Sequence, residues 1–403
     1  MLHLFAHLSP SLKVAWISYF PIERLPDLPE PLRDLPREHP ASWQRVLLEE
    51  FIHDKSPSAI QLHVIVVRGA FKSDCTFDWN GVRFHCLKVR KRAMSLYWRE
   101  TFRIRRCLKE IQPELVHAWG SERGAALVAS RLGYPYLVTM QGLLEWYLQH
   151  VSLNIHHRLD ALLEKPGLRR ASTVTTECKF AVNWLGERYP HLEVRQVEHA
   201  PNWIFHRLRR EPQLKPIRFL FVGVLSEVKG TDLLLQALDR LRHELDFTAH
   251  LIGTASPDYL RQLRELTSPA VWERIHLRDG LTADEVAEEM SKATILLFPT
   301  RADTSPNSVK EAAVAGLPVV ASAIGGIVDY IVPGQNGVTF PAGNLEAFVE
   351  AIRAAASHPL FSRGEVNPQT LKEMRNYLSP LEMRDRFYEA YRRVLEKGLR
   401  RSG

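Results

Sequence analysis

The sequence predicts an α/β protein built from two doubly wound, Rossmann-like domains with parallel sheets. Three observations carry that prediction. Short β-branched runs alternate with amphipathic helical stretches along the chain, which is the pattern of successive βαβ units. A length of 403 residues suits two domains, each able to bury its own core. No sequence repeat with a period of about 20–50 residues is visible, so a solenoid is not expected.

In the first half the expected strands are Val14–Phe20, Leu62–Val67, Val82–Leu87, Leu115–Ala118, Tyr136–Met140, Thr173–Thr176 and Val194–Val197. Helical patterns at Trp43–His53, Thr101–Ile111, Gly124–Leu132 and Lys179–Arg188 separate them. The second half repeats the rhythm. Its strands are Phe219–Val222, Ala249–Ile252, Ile275–Leu277, Thr294–Phe298 and Val319–Ala321, and its helices are Thr231–Leu241, Asp258–Leu266, Ala283–Lys292 and Asn307–Ala315. The join is expected near Ala200–His206, giving domains of 1–204 and 205–377. Six prolines between Pro21 and Pro40 predict an extended loop after the first strand. Doubly wound folds place ligands there, although a plain surface loop fits the composition equally well.

Composition excludes several classes of function. Hydrophobic residues make up 45% and charged residues 25%, with 21 glycines and 25 prolines, so the chain is neither collagenous nor low-complexity. The four cysteines, Cys75, Cys86, Cys107 and Cys178, form no C-x-x-C pair. Neither a zinc cluster nor a disulfide framework is expected, and a reducing, cytoplasmic compartment is. The first residues, MLHLFAHLSPSLK, lack the basic segment and long apolar run of a secretory signal. The longest uncharged stretch, Ala312–Val328, is broken by Gly316, Pro318, Gly325 and Gly326, so no membrane-spanning helix is expected.

The stretch Phe298–Ser322 carries the chemistry. A buried strand ends in a polar loop, and Ser305 is the expected N-cap of a helix with Pro306 at its first position. Gly316 suits the left-handed residue that ends that helix. The N-terminal N–H groups and the positive end of the dipole then form an anion site at the carboxyl edge of a parallel sheet. Glu311 follows Asn307 and Ser308 by four and three residues, so the three share a face. A carboxylate there cannot hold phosphate but can accept from sugar hydroxyls. Asp303 is a second carboxylate at the same mouth. Two carboxylates beside a phosphate site describe a nucleotide sugar. A second segment, Phe219–Leu238, reads strand, Gly223, tight loop, Lys229-Gly230, helix. Gly223 allows close backbone approach and Lys229 offers a point charge for diphosphate. Neither G-x-G-x-x-G nor G-x4-G-K-[ST] is present, so dinucleotide redox and direct ATP chemistry are disfavoured.

With these residues the sequence resembles the retaining, nucleotide-sugar-dependent glycosyltransferases of GT-B fold in family four, which carry a Glu-x7-Glu motif. Here the motif reads Asp303-x7-Glu311. The resemblance is firm from Arg218 to Ala342, including Gly325–Asp329 and Pro333–Gly337, and looser at Pro113–Gly120 and Val138–Gly142. It implies two domains facing across a cleft, with a C-terminal helix, 378–403, crossing back to the first. It further implies that Glu311 binds donor ribose hydroxyls, Lys229 the diphosphate and Asp303 the transferred sugar. Ser305, Asn307, Ser308 and Val309 would line the phosphates, and Gln141 and His117 would lie on the acceptor side. Four places depart from the family pattern: Asp303 for glutamate, Val224 for arginine, Gln141 for histidine, and the loop from Pro21 for Gly-Gly. The implied donor is a UDP- or GDP-linked sugar, the implied acceptor a saccharide or lipid-linked glycan of cell-surface polysaccharide or glycoconjugate synthesis. Retention of configuration follows from the same likeness. No D-x-D-like motif follows a strand, so no metal is expected, and no resident cofactor is expected either. A catalytically weak or inactive nucleotide-sugar-binding partner protein is the alternative that Val224 and Asp303 suggest. A same-fold epimerase or phosphorylase fits less well, because the latter needs a far longer chain.

Charge is local. The net charge is +7, yet Lys88 to Lys109 alone holds nine basic residues against Glu100. Lys88, Arg90, Lys91, Arg92, Arg99, Arg103, Arg105 and Arg106 interleave with Leu96, Tyr97, Trp98, Phe102 and Ile104. That pattern suits an anionic membrane surface at the inner face of the cytoplasmic membrane, or an anionic acceptor, or simply a solvated basic face. No nucleic-acid-binding motif accompanies it, and no nucleic-acid partner is expected.

Overall fold

The computed structural model describes residues 12–402 apart from 37, 39–40, 57–58, 122–123 and 151–154. The N-terminal stretch and Pro40 lie outside the described residues. The chain divides into two compact units. The first comprises the chain up to Glu177, Val182–Glu198 and the residues from Met383 on. The second comprises Cys178–Ala181 and His199–Glu382. The longer segment of the second unit begins at His199, where the expected join is 204/205, and runs to Glu382, where the expected end is 377.

The first unit is organised by an eight-stranded sheet in the order β3-β4-β2-β1-β5-β6-β7-β8. Its strands are β1 (Lys13–Ser18), β2 (Gln61–Arg68), β3 (Cys75–Trp79), β4 (Val82–Lys88), β5 (Leu115–Trp119), β6 (Tyr136–Thr139), β7 (Thr173–Thr176) and β8 (Glu193–Gln196). All neighbours are parallel except β3, which pairs antiparallel with β4. The sequence reading omits β3, a five-residue strand at the sheet edge in which no residue is buried. The turn was legible: Asn80 and Gly81 both adopt positive φ, at 48° and 83°, as a two-residue hairpin turn requires. The proline-rich loop is ordered by Ile22, Leu25 and Leu32, all buried, and by Glu23, which accepts from Arg68 at 2.8 Å.

The C-terminal helix, Pro380–Ser402, belongs to this unit from Met383 on. Tyr391 seats it. The buried Trp16 indole donates to the Tyr391 hydroxyl at 3.0 Å, and the same oxygen lies 2.9 Å from His117 Nδ1. His117 Nε2 continues to Thr139 at 2.6 Å, and Thr139 to Thr175 at 2.6 Å. This is a polar row through a dry core, where an abandoned partner costs more than a bond gains. Tyr391→Phe should therefore lower the stability of this unit by about 1–3 kcal/mol, read as a fall in the urea midpoint. An unchanged midpoint would show that the hydroxyl carries no weight.

The second unit holds a six-stranded, all-parallel sheet in the order β11-β10-β9-β12-β13-β14. Its strands are β9 (Ile217–Val222), β10 (Phe247–Ile252), β11 (Ile275–Arg278), β12 (Ile295–Phe298), β13 (Val319–Ser322) and β14 (Gly337–Phe340). Phe219, Phe221, Leu296, Phe298 and Val320 are fully buried in its core. The chain leaves β9 toward β10 and returns on the other side at β12. The gap between β9 and β12 is therefore the topological switch point, outside whose carboxyl ends ligands bind.

Candidate functional site

The loops after β9 and after β12 flank that switch point and are tied to each other. Thr300 Oγ1 donates to Val228 O at 3.0 Å, and Arg301 N donates to the same carbonyl at 2.8 Å. The Arg301 guanidinium grips Asp232 bidentately at 2.7 and 2.6 Å. Gly230, at φ 69°, lets the first loop pass against the second: a Cβ there would lie 1.9 Å from Pro299 O. Held this way, Lys229 Nζ and the Asp303 carboxylate form an ion pair across the gap. The two residues assigned separately to diphosphate and sugar thus meet directly. The Asp303 side chain is nearly buried, whereas Lys229 remains about a quarter exposed at 27%.

The helix after β12 runs Asn307–Ala315 and ends at Gly316, φ 76°. Its N-cap is Pro306, in extended conformation, and no side chain caps it. The expected N-cap, Ser305, is engaged elsewhere: its hydroxyl lies 2.7 Å from the Tyr330 hydroxyl. Proline ahead of Asn307 starts the helix by fixing φ, so no cap is needed to set the boundary. The first N–H groups, at Asn307, Ser308 and Val309, have no acceptor within the helix, which is the arrangement that can receive an anion. The Val309 side chain is buried in the core, so only its amide can serve a ligand. Glu311 is half-buried on the next turn. Burial pushes its carboxyl up to about 7, against a smaller opposing pull from Lys310.

Gly325 and Gly326 close the site from the loop after β13. A Cβ on Gly325, at φ 58°, would lie 1.9 Å from Asp303 O, so only glycine lets this loop pass against the backbone at Asp303. Gly326 N donates to Thr304 O at 2.8 Å. Sequence reasoning passed over Tyr330 and placed Asn336 only within the Pro333–Gly337 stretch. Asn336 holds the loop by accepting from Val332 N at 2.7 Å and donating to Tyr330 O at 2.9 Å. Their signal was only the Pro333–Gly337 turn, with nothing to show which chain it touched. Gly223 lies at the end of β9, with its N–H bonded to Ile252 O at 2.9 Å. Val224, in the following loop, is 55% exposed.

On the first unit, Gln141 lies two residues past β6, half-buried at the carboxyl edge of the sheet. His117 does not reach that edge. It is fully buried in the Tyr391 row, which corrects its acceptor-side assignment. The basic segment is also narrower than its composition suggests. Arg92 turns inward and holds buried Glu100, with one bond of 2.8 Å, and Val67 O at 3.2 Å. Arg103 pairs with Asp74, Arg105 donates to Arg131 O, and Lys88 Nζ donates to Lys72 O at 2.6 Å. Arg90, Lys91, Arg99 and Arg106 remain exposed.

Two family models match this chain, one to each unit's sheet. Residues 58–203 match a glycosyl transferase 4-like domain, and residues 216–358 match the group 1 glycosyl transferases. The chain belongs to the GT-B-fold glycosyltransferases. Its fold is similar to that of sucrose-phosphate synthase from Thermosynechococcus elongatus, with a TM-score of 0.76 and 15% identity over 96% of this chain and 100% of that one. It is also similar to Anabaena HepE in complex with UDP-glucose, with a TM-score of 0.70 and 14% identity over 94% and 99% of the two chains. Among curated proteins, this glycosyltransferase is 30% identical over 151 residues to D-inositol 3-phosphate glycosyltransferase 1 of Catenulispora acidiphila, 35% of this chain and 36% of that protein. It is 28% identical over 139 residues to a GDP-mannose-dependent phosphatidylinositol monomannoside mannosyltransferase of Mycolicibacterium smegmatis, 32% and 36% of the two chains. The matched stretches thus span about a third of these curated relatives.

Proposed function

We propose that this protein transfers a hexosyl group from a UDP- or GDP-sugar to a saccharide or lipid-linked glycan, with retention of configuration and without a metal. The acceptor would belong to cell-surface polysaccharide or glycoconjugate synthesis. The observation that carries the reading is the meeting of Lys229 and Asp303 at the switch point, in the loops leading to an uncapped helix N-terminus. The Asp303 carboxylate holds the Lys229 ammonium. A donor diphosphate would take its place on Lys229 and on the amides of Asn307, Ser308 and Val309, freeing Asp303 for the hydroxyls of the transferred sugar. Glu311 would accept from the ribose.

As the glycosidic bond breaks, charge grows on the departing diphosphate. A fixed ammonium and aligned N–H groups stabilise that charge more than the intact donor. A donor phosphate oxygen on the same face as the leaving group can take the acceptor hydroxyl proton, so the chain needs no separate base. Gln141 is assigned to the acceptor side. Support for the donor comes from the UDP-glucose complex of the Anabaena neighbour and the GDP-mannose dependence of the mycobacterial relative.

Thermal denaturation with UDP, GDP, ADP and their sugars tests the donor. A bound nucleotide present at about a hundredfold its dissociation constant should add about 2.7 kcal/mol to stability, and the shift should follow concentration. If none of these ligands shifts the transition, the donor assignment fails. Transfer should persist in EDTA, and NMR of the product should show the donor's anomeric configuration. Exposed Val224, where a cation would help the leaving group, favours one other reading. Donor binding without turnover on any glycan or lipid acceptor would make the chain a nucleotide-sugar-binding partner protein.

A further inference from the structure

The segment from Arg90 to Lys109 separates its residues cleanly by direction. Inward side chains fasten it. Tyr97 is buried, and its hydroxyl donates to Asp160 at 2.8 Å while its ring lies against Gly124. Arg92 holds Glu100, and Thr101 Oγ1 donates to Tyr97 O at 2.9 Å. Ile104, Cys107, Leu108 and Ile111 bury the inner face of the Trp98–Ile111 helix.

What this scaffold turns outward is apolar. Met94 is 80% exposed, Phe102 59%, Leu96 48% and Trp98 44%. Trp98 and Phe102 lie one helical turn apart with ring centroids at 5.9 Å. Leu96 is held out in a left-handed conformation, φ 45°, beside Tyr97 at φ 61°. A branched side chain resists that conformation. Arg131 fixes the pair from behind, donating to Leu96 O at 2.7 Å with its guanidinium 4.2 Å over the Trp98 ring.

Around this apolar ridge stand Arg90, Lys91, Arg99, Arg106 and Lys109, all exposed. Among the described residues none of the five has an acidic partner. Glu110 is the one acid on the helix's outer face. We propose that this ridge docks on an anionic lipid bilayer, with Met94, Leu96, Trp98 and Phe102 entering the headgroup boundary and the five cations facing lipid phosphates. Charge complementarity selects that occupant. A second copy docking face to face would set unpaired cations against unpaired cations. Single-stranded nucleic acid needs a groove of stacking rings, whereas this face is a convex helix flank with one turn before it. An interfacial anchor combines these two features: aromatic and branched side chains on one strip, Lys and Arg beside them.

The proposal does not depend on the donor site, and nucleotide binding measured on the same samples separates the two. Full-length chain should co-float with vesicles of phosphatidylcholine and 30% phosphatidylglycerol, weakly with phosphatidylcholine alone, and less as salt rises. Arg99→Glu with Arg106→Glu should reduce the partition coefficient on anionic vesicles by about twentyfold or more. Met94→Ser with Phe102→Ser should reduce it by about tenfold. Both variants lie on the surface, and a melting midpoint without ligand equal to that of the wild type will show that they fold. Absence of wild-type binding to anionic vesicles overturns the proposal. So does equal binding by the charge-reversed variant, or a wild-type dimer in sedimentation that either variant dissolves.

Discussion

Replacing Lys229 by alanine is expected to lower kcat/KM for the preferred nucleotide sugar by about a hundred- to a thousandfold. The magnitude follows from what else the two loops offer. Arg301, the cation of the post-β12 loop, is gripped by Asp232 through two bonds and cannot turn to a ligand without giving them up. Val224 supplies no charge. Lys229 is therefore the side-chain cation available to the departing diphosphate, with the helix amides as its partners. The same change strips nearly buried Asp303 of its counterion, which would itself disturb the loop. Comparing the double variant Lys229→Ala, Asp303→Asn with Asp303→Asn alone separates the causes, since neither contains the carboxylate that the single lysine variant would orphan. Lys229→Arg should recover part of the rate. If steady-state kinetics show a rise in KM alone, the lysine binds the donor without stabilising the transition state. A change below about threefold would remove Lys229 from the site.

Donor affinity is expected to rise by about tenfold between pH 6 and pH 8, because Glu311 titrates near 7. Ribose hydroxyls donate, so the carboxylate binds them and the protonated acid is a poorer acceptor. At pH 6 about nine-tenths of the Glu311 side chains would be protonated, and at pH 8 about one-tenth. Isothermal titration across this range should show the slope, and Glu311→Gln should flatten it. At pH 8 the same variant should bind donor about ten- to a hundredfold more weakly, the loss of hydrogen bonds to a charged acceptor. The stability effect has the opposite sign. Because the folded group titrates above its ordinary value of 4.5, its contribution is fully present below that value and fades as pH rises toward 7. Glu311→Gln should thus stabilise the donor-free protein slightly at pH 8. A pH-independent donor affinity in the wild type would remove the carboxylate from the ribose contact.

Much of this architecture was legible in residue patterns. Fully buried parallel strands such as Ile295–Phe298 and Val319–Ser322 are continuous apolar runs, and Gly316 marks a helix end that only a left-handed residue can make. The helices Ile155–Arg170 and Leu345–Ser357 were not assigned. The first carries Pro166 inside it, which reads as a stop, and its neighbours rescue it by packing: Gly167 lies against the backbone of Ala126.

Residue patterns alone were enough for two doubly wound domains, for a short helix bounded by Pro306 and Gly316, and for a lysine and two carboxylates near the sheet edge where such folds bind ligands. Those features follow from local causes: hydrophobic period, proline, glycine and chain order. Only tertiary structure decided which polar group faces what. Ser305 turns to Tyr330 instead of capping, and His117 joins a buried row through a helix that follows it by more than two hundred and fifty residues. Arg92 looks inward to Glu100, while Phe102, two residues further along the same helix, looks out. A side chain's direction depends on what packs against it, and for these residues the decisive neighbour comes from another part of the chain.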